Sequence, residues 1–185
     1  MLDFSDRSFS DFLASEVKLN IDDPKCVVNG GPKGKRLRHF LQTCDDGTAE
    51  AFLKGLFDAF GPTAQEPFRL HGKQIDDSFQ LASDIYLLEA KWHGPPIGVA
   101  ELHTFHGKIE QKAAWTRGLF VSNSDFTEDG LAAFGCGKRV ICMDGLDLNK
   151  MLNYKIPLTQ VLERKVRRAA ETGAPFIRVR DLFPY

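Results

Sequence analysis

The sequence predicts an α/β protein built on a mixed β-sheet core flanked by helices. Three observations carry this reading. Strand-length apolar runs at "DIYLLEAKW", "RGLFVSNS" and "KRVICMDG" alternate with helical patterns, the order expected when helices cover a mixed sheet. Phe79 and Leu81 alternate with polar residues just before the first run, as a half-buried strand joined to it by a tight turn would. The chain has 185 residues, 43% hydrophobic and 26% charged, enough to bury a core without disulfides or metals.

The elements follow in order. Residues 1–45 read as a helical lead-in to a domain at 46–185. "FSDFLASEV" predicts a short helix capped by Ser8 or Ser10, and "NGGPKGK" is a turn cluster. "GKRLRHFLQTC" predicts a second helix, with Lys33, Lys35, Arg36, Arg38 and His39 as a basic cluster. The clearest helix is 48–60, where Ala49, Phe52, Leu53, Leu56, Phe57 and Phe60 form one apolar face. Asp46 or Thr48 is expected to cap it, and Gly61-Pro62 to end it. Residues 66–92 read as strands joined by tight turns, and 98–114 as a helix after the Gly94-Pro95-Pro96 break. A strand at 117–124, a short helix at "DFTEDGLAAFG", a strand at "KRVICMDG" and a short helix at "LDLNKML" follow. The last helix, 157–173, has a core face of Leu158, Val161, Leu162, Val166 and Ala169.

Several function classes lose weight. A net charge of −1 announces neither a nucleic-acid nor a membrane partner, so either must be met by a local patch. The N-terminal text is acidic and lacks the apolar run of a leader, and no apolar stretch approaches membrane-spanning length. Cys26, Cys44, Cys136 and Cys142 form no C-x-x-C pair, and are expected to be reduced in a cytoplasmic protein. His103 and His106 read as ordinary helix histidines, and Trp92 and Trp115 as core residues. Ser122 and Ser124 lack His and Asp partners for a serine hydrolase.

The chemistry sits at the end of the first apolar strand. Glu89 and Lys91 alternate with Leu88 and Ala90, so the two charged side chains share one face. A hard divalent cation needs more oxygen than one carboxylate, and a hairpin can bring Asp76 of "GKQIDDSF" beside Glu89. Asp76, Glu89 and the carbonyl of Ala90 are then expected to hold Mg²⁺ or Mn²⁺. Lys91 would orient the attacking water and offset charge on phosphorus. Asp77 adjoins Asp76, and strand alternation puts one of the two on the face of Glu89; Asp76, directly after Ile75, is favoured.

Asp76 followed by "EAK" at 89–91 resembles the motif of the PD-(D/E)xK nucleases. "WTRGLFVSNSDFTEDGLAAF" and "VICMDGLDL" are similar, in order and spacing, to the Mrr-like restriction endonuclease catalytic domain. The resemblance implies a restriction-endonuclease-like fold and a metal-dependent DNA endonuclease. Asp76 and Glu89 would be metal ligands, Lys91 the catalytic lysine and Glu50 an accessory acid. Such nucleases often carry Gln where this chain has Glu89. The resemblance also implies a homodimer, in which two sites cut two strands, and allows an activating partner protein. Lys108, Lys112, Arg36, Arg38, Arg164 and Arg168 are the candidate nucleic-acid contacts. The competing reading is a catalytically silent or partner-activated nucleic-acid-binding module of the same fold, or a nuclease acting on RNA. "GGPKGKRLRHFLQTCDDGTAEAFLKGLF" is similar to the N-terminal region of AbiJ phage-defence proteins, which implies an antiviral setting.

Overall fold

The computed structural model describes residues 6–15, 20, 33–60, 75–92, 94–135 and 137–184. The chain divides into two compact units, Met1–Phe60 and Gly61–Tyr185.

The first unit contains α1 (Asp6–Ser15), α2 (Lys33–Thr43) and α3 (Asp46–Phe60). Its core gathers Leu13, Leu37, Phe40, Leu41, Ala49, Phe52, Leu53, Leu56 and Phe57. Phe40 and Phe52 meet edge to face at 5.7 Å. The apolar face expected for α3 is therefore buried at Ala49, Phe52, Leu53, Leu56 and Phe57, as its spacing requires; the Phe60 side chain lies outside the described residues, and the cap differs. Asp45 takes the role: its Oδ1 accepts from the Thr48 amide at 2.9 Å and its Oδ2 from the Thr48 hydroxyl at 2.8 Å. Those hydrogen bonds hold the Asp45 carboxyl below its usual range. Asp46 and Thr48 lie inside the helix, because a cap side chain must precede the first turn to reach its open amides.

The second unit is a four-stranded mixed sheet in the order β1 (Ile75–Leu81), β2 (Asp84–Lys91), β3 (Thr116–Ser122), β4 (Val140–Asp144). β1 and β2 form an antiparallel hairpin, and β2, β3 and β4 run parallel. The hairpin turns on Ala82 and Ser83, with Leu81 opposite Asp84; Ala82 has φ +53°. Gln80 Nε2 donates to the Ala82 carbonyl at 3.0 Å and steadies this turn.

The crossovers are α4 (Val99–Glu110), between β2 and β3, and α5 (Glu128–Phe134), between β3 and β4. Leu102, Phe105 and Ile109 of α4 and Phe134 of α5 pack with Phe120, Val140 and Cys142 of the sheet, and Leu87 joins from β2. Gly118 permits this approach: a Cβ there would lie 2.2 Å from Ile109 Cδ1 and 2.6 Å from Phe105. Thr127 caps α5 by accepting from the Gly130 amide, and Asp144 caps α6 (Gly145–Asn153) by accepting from the Asp147 amide. α7 (Leu158–Thr172) ends on Gly173 in the left-handed region, and α8 (Val179–Leu182) follows.

Three expectations are corrected. α4 stops at Glu110, short of the helix expected over 98–114, so Lys112 lies past its end. Trp115 is 63% exposed, outside the core, at the turn into β3, whereas Trp92 is buried. The buried stripe of α7 is Leu158, Val161, Leu162 and Lys165, with Val166 and Ala169 only half-buried. Among the described residues no helix is long and apolar enough to cross a membrane.

Candidate active site

The antiparallel register sets Asp76 directly opposite Glu89 and Asp77 opposite Leu88. Directly opposed positions of an antiparallel pair belong to the same face of a sheet, so the register puts position 76, not 77, level with Glu89; the side chains of Asp76 and Asp77 lie outside the described residues. Glu89 and Leu87 alternate onto the side covered by α4, where Leu87 packs. This burial leaves Glu89 only 2% exposed. A lone ionised carboxylate is costly there, and Lys108 of α4 supplies a counter-charge: its Nζ donates to Glu89 Oε2 at 2.8 Å. Lys91, two positions on, lies nearest a different acid. Its Nζ is 3.8 Å from Glu101 Oε1 in the first turn of α4, with both side chains about one-third exposed.

The parallel register aligns Lys91 with Ser122, and Ser122 with Asp144, so three strands end side by side. The turn after β3 is fastened to the end of β2, where the Asn123 amide donates to the Lys91 carbonyl at 3.2 Å. Ser122 Oγ donates to the Asp125 carbonyl, and Asp125, at φ +70°, pairs with Arg178 at 2.8 Å. The other arm of the Arg178 guanidinium binds Asp144 Oδ2. Burial and the neighbouring Asp147 push the Asp144 carboxyl above its ordinary range, against the pull of its amide partner and of Arg178.

Next to this chain of contacts lies a buried ammonium. Lys165 Nζ donates to Asp147 Oδ2 at 2.6 Å and to the carbonyls of Cys142 and Ile177 at 3.0 Å and 2.5 Å. The Val179 amide donates to Asp147 Oδ1 at 2.7 Å. Cys142 is buried beside it, and burial pushes its thiol up to about 12, which makes it an inert core residue.

The sequence candidates on α7 make their contacts elsewhere. Arg164 donates to the Leu182 carbonyl and covers the Phe183 ring, and Arg168 pairs with Glu171. Arg36 and Arg38 lie on α2 and Glu50 on α3, in the first unit; the Glu50 side chain lies outside the described residues. His103 and His106 both pack edge-on against Phe134, as ordinary helix histidines do. Reading the sequence missed Lys165, Asp147, Arg178 and Glu101. Lys165 had a signal, since it falls on the apolar stripe of α7, and a cation on a buried stripe requires an acid beneath it. The others are joined through tertiary contacts that no spacing records.

Among the described residues no three His, Cys, Asp or Glu side chains cluster as a ready metal cage. The described members of the expected donor set, the buried Glu89 carboxylate and the Ala90 carbonyl, offer oxygen atoms, which suits a hard divalent ion, and Glu89 already holds a cationic group.

The restriction endonuclease family, of the Mrr catalytic type, matches residues 41–152. The chain belongs to this family, a group of nucleases on a mixed sheet flanked by helices that generally use divalent metals. No curated protein and no solved structure matches the chain.

Proposed function

We propose that the protein is a metal-dependent endonuclease hydrolysing phosphodiester bonds in DNA, with its site at the end of β2. The observation that carries this reading is the pairing of Asp76 with the buried Glu89, two residues before Lys91 on the same face. Asp76, Glu89 and the Ala90 carbonyl would hold Mg²⁺ or Mn²⁺. Bound there, the ion would lower the pKa of a water and polarise a phosphate oxygen. Lys91, one-third exposed at the strand end, would orient the attacking water and offset charge on the phosphorus as it becomes five-coordinate. The Asn123 amide fixes the Lys91 backbone, and α4 shields one side of Glu89 from bulk water.

DNA is the substrate that the family favours, and a restriction or phage-defence role in the cytoplasm suits it. A homodimer would place two such sites on two strands, and an activating partner protein is compatible with the same site. The test is cleavage of supercoiled plasmid with Mg²⁺, with Mn²⁺ and with EDTA, using wild type beside Lys91→Ala and with RNA in parallel. Metal-dependent nicking or linearisation that is lost in Lys91→Ala supports the reading. Cleavage that survives in Lys91→Ala overturns the assignment of Lys91, and cleavage of RNA alone overturns the substrate.

A further inference from the structure

Lys108 stands in the last turn of α4 and reaches Glu89 because Gly118 lets Phe105 and Ile109 settle close on the sheet. Its ammonium lies 2.8 Å from a carboxylate that is 2% exposed, while the strand's own Lys91 is turned to Glu101. The side chain of Lys108 is 36% exposed, so it reaches the buried acid from the solvent side and has a path back out.

We propose that Lys108 is an exchangeable counter-ion of the metal site. It holds Glu89 when no divalent ion is bound and releases it when one binds. This inference rests on the reading of Glu89 as a metal ligand. The physical argument has two parts. A buried carboxylate without a positive partner destabilises the fold, so a protein that must fold before it meets metal needs a resident cation at that position. An ammonium and a divalent ion on one carboxylate repel one another at short range in a poorly screened site, so the two compete. Metal affinity is therefore set below what the oxygen ligands alone would give. Once displaced, the Lys108 ammonium remains at the rim of the site, where a substrate phosphate would lie.

The test is Mn²⁺ binding by titration calorimetry, together with melting temperature in EDTA and in Mn²⁺, for wild type, Lys108→Met, Lys108→Arg and Glu89→Gln. Lys108→Met is expected to bind Mn²⁺ at least ~10-fold more tightly than wild type. It should melt lower in EDTA, with a larger rise on adding Mn²⁺. Lys108→Arg keeps the competing charge and should stay near wild type. Equal or weaker Mn²⁺ binding by Lys108→Met, with binding lost in Glu89→Gln, overturns the exchange and leaves the metal site standing. Wild-type Mn²⁺ affinity in Glu89→Gln overturns the metal site itself. A second measurement needs only the wild type: reductive methylation of lysines followed by mass spectrometry, with and without Mn²⁺. Exchange predicts a several-fold rise in Lys108 labelling on adding Mn²⁺, and unchanged or reduced labelling overturns it.

Discussion

Lys165 and Asp147 form an ion pair of 2.6 Å in which each side chain is 2% exposed. A pair this deeply buried is held in place by its remaining hydrogen bonds. Lys165 also satisfies the carbonyls of Cys142 and Ile177, and Asp147 also accepts from Val179, so β4, α6, α7 and the approach to α8 converge on one ammonium. Removing one partner leaves a buried charge alone. Lys165→Met is expected to cost about 3–5 kcal/mol of folding stability. Urea unfolding monitored by circular dichroism checks this, and an unchanged midpoint would show that the network adds nothing.

Lys91→Ala should separate chemistry from folding. Lys91 is one-third exposed and only loosely paired, at 3.8 Å from Glu101, so its loss costs little stability. The role proposed for it at the phosphorus predicts a fall in cleavage rate of ~100-fold or more, with the melting temperature nearly unchanged. A large drop in melting temperature would instead make Lys91 a structural residue.

Gly118→Ala should destabilise the fold by about 1–3 kcal/mol, because its methyl group would push Ile109 and Phe105 of α4 off the sheet. The same displacement carries Lys108 away from Glu89. Thermal unfolding of this variant reads the packing term. A neutral result would show that α4 sits less tightly on β3 than these distances require.

His106 gives a pH prediction. Burial lowers its pKa, opposed by Glu110 at 3.7 Å and assisted by Lys138, Arg139 and His103. The sign follows from linkage: the unfolded chain takes up the proton first, at its ordinary value of 6.5. The stability that neutral His106 contributes is therefore complete above that pH and is lost as pH falls toward the lower, folded value. His106→Gln should flatten melting temperature against pH over this interval. An unchanged slope would place the acid sensitivity elsewhere.

The turn at Ala82 is open to improvement. A residue with a Cβ at φ +53° is disfavoured, and glycine suits the first position of such a hairpin turn. Ala82→Gly is expected to raise stability by about 0.5–1 kcal/mol, measured by denaturant titration. A loss instead would mean that glycine's added freedom in the unfolded chain outweighs the strain removed.

Much of this was legible in the sequence. Every described strand and every helix except α8 has a pattern that announces it, because core faces repeat with the period of their element. The Glu89–Lys91 face followed from alternation alone, and the opposition of Asp76 and Glu89 agrees with a hairpin of that length. What escaped depends on partners distant in sequence. Asp45 displaced Asp46 and Thr48 as a cap because helix ends shift by a residue without altering the apolar pattern. Trp115 looked like core by composition, yet it stands on a turn that nothing covers among the described residues. The approach of Lys108 to Glu89 needs a glycine on a third element, β3, and no local spacing encodes that.

The tight hairpin between β1 and β2 works as a ruler for the site. Its Ala82-Ser83 corner counts residues equally along both arms, so Asp76 meets Glu89 only when that count is exact. One residue inserted at the corner, with a two-residue turn kept, would shift the register by one, so that Asp76 no longer opposes Glu89. Point changes near the proposed metal ligands would alter chemistry by degrees. A length change at this remote corner would instead act as an all-or-none switch, so the corner can drift in composition but not in length.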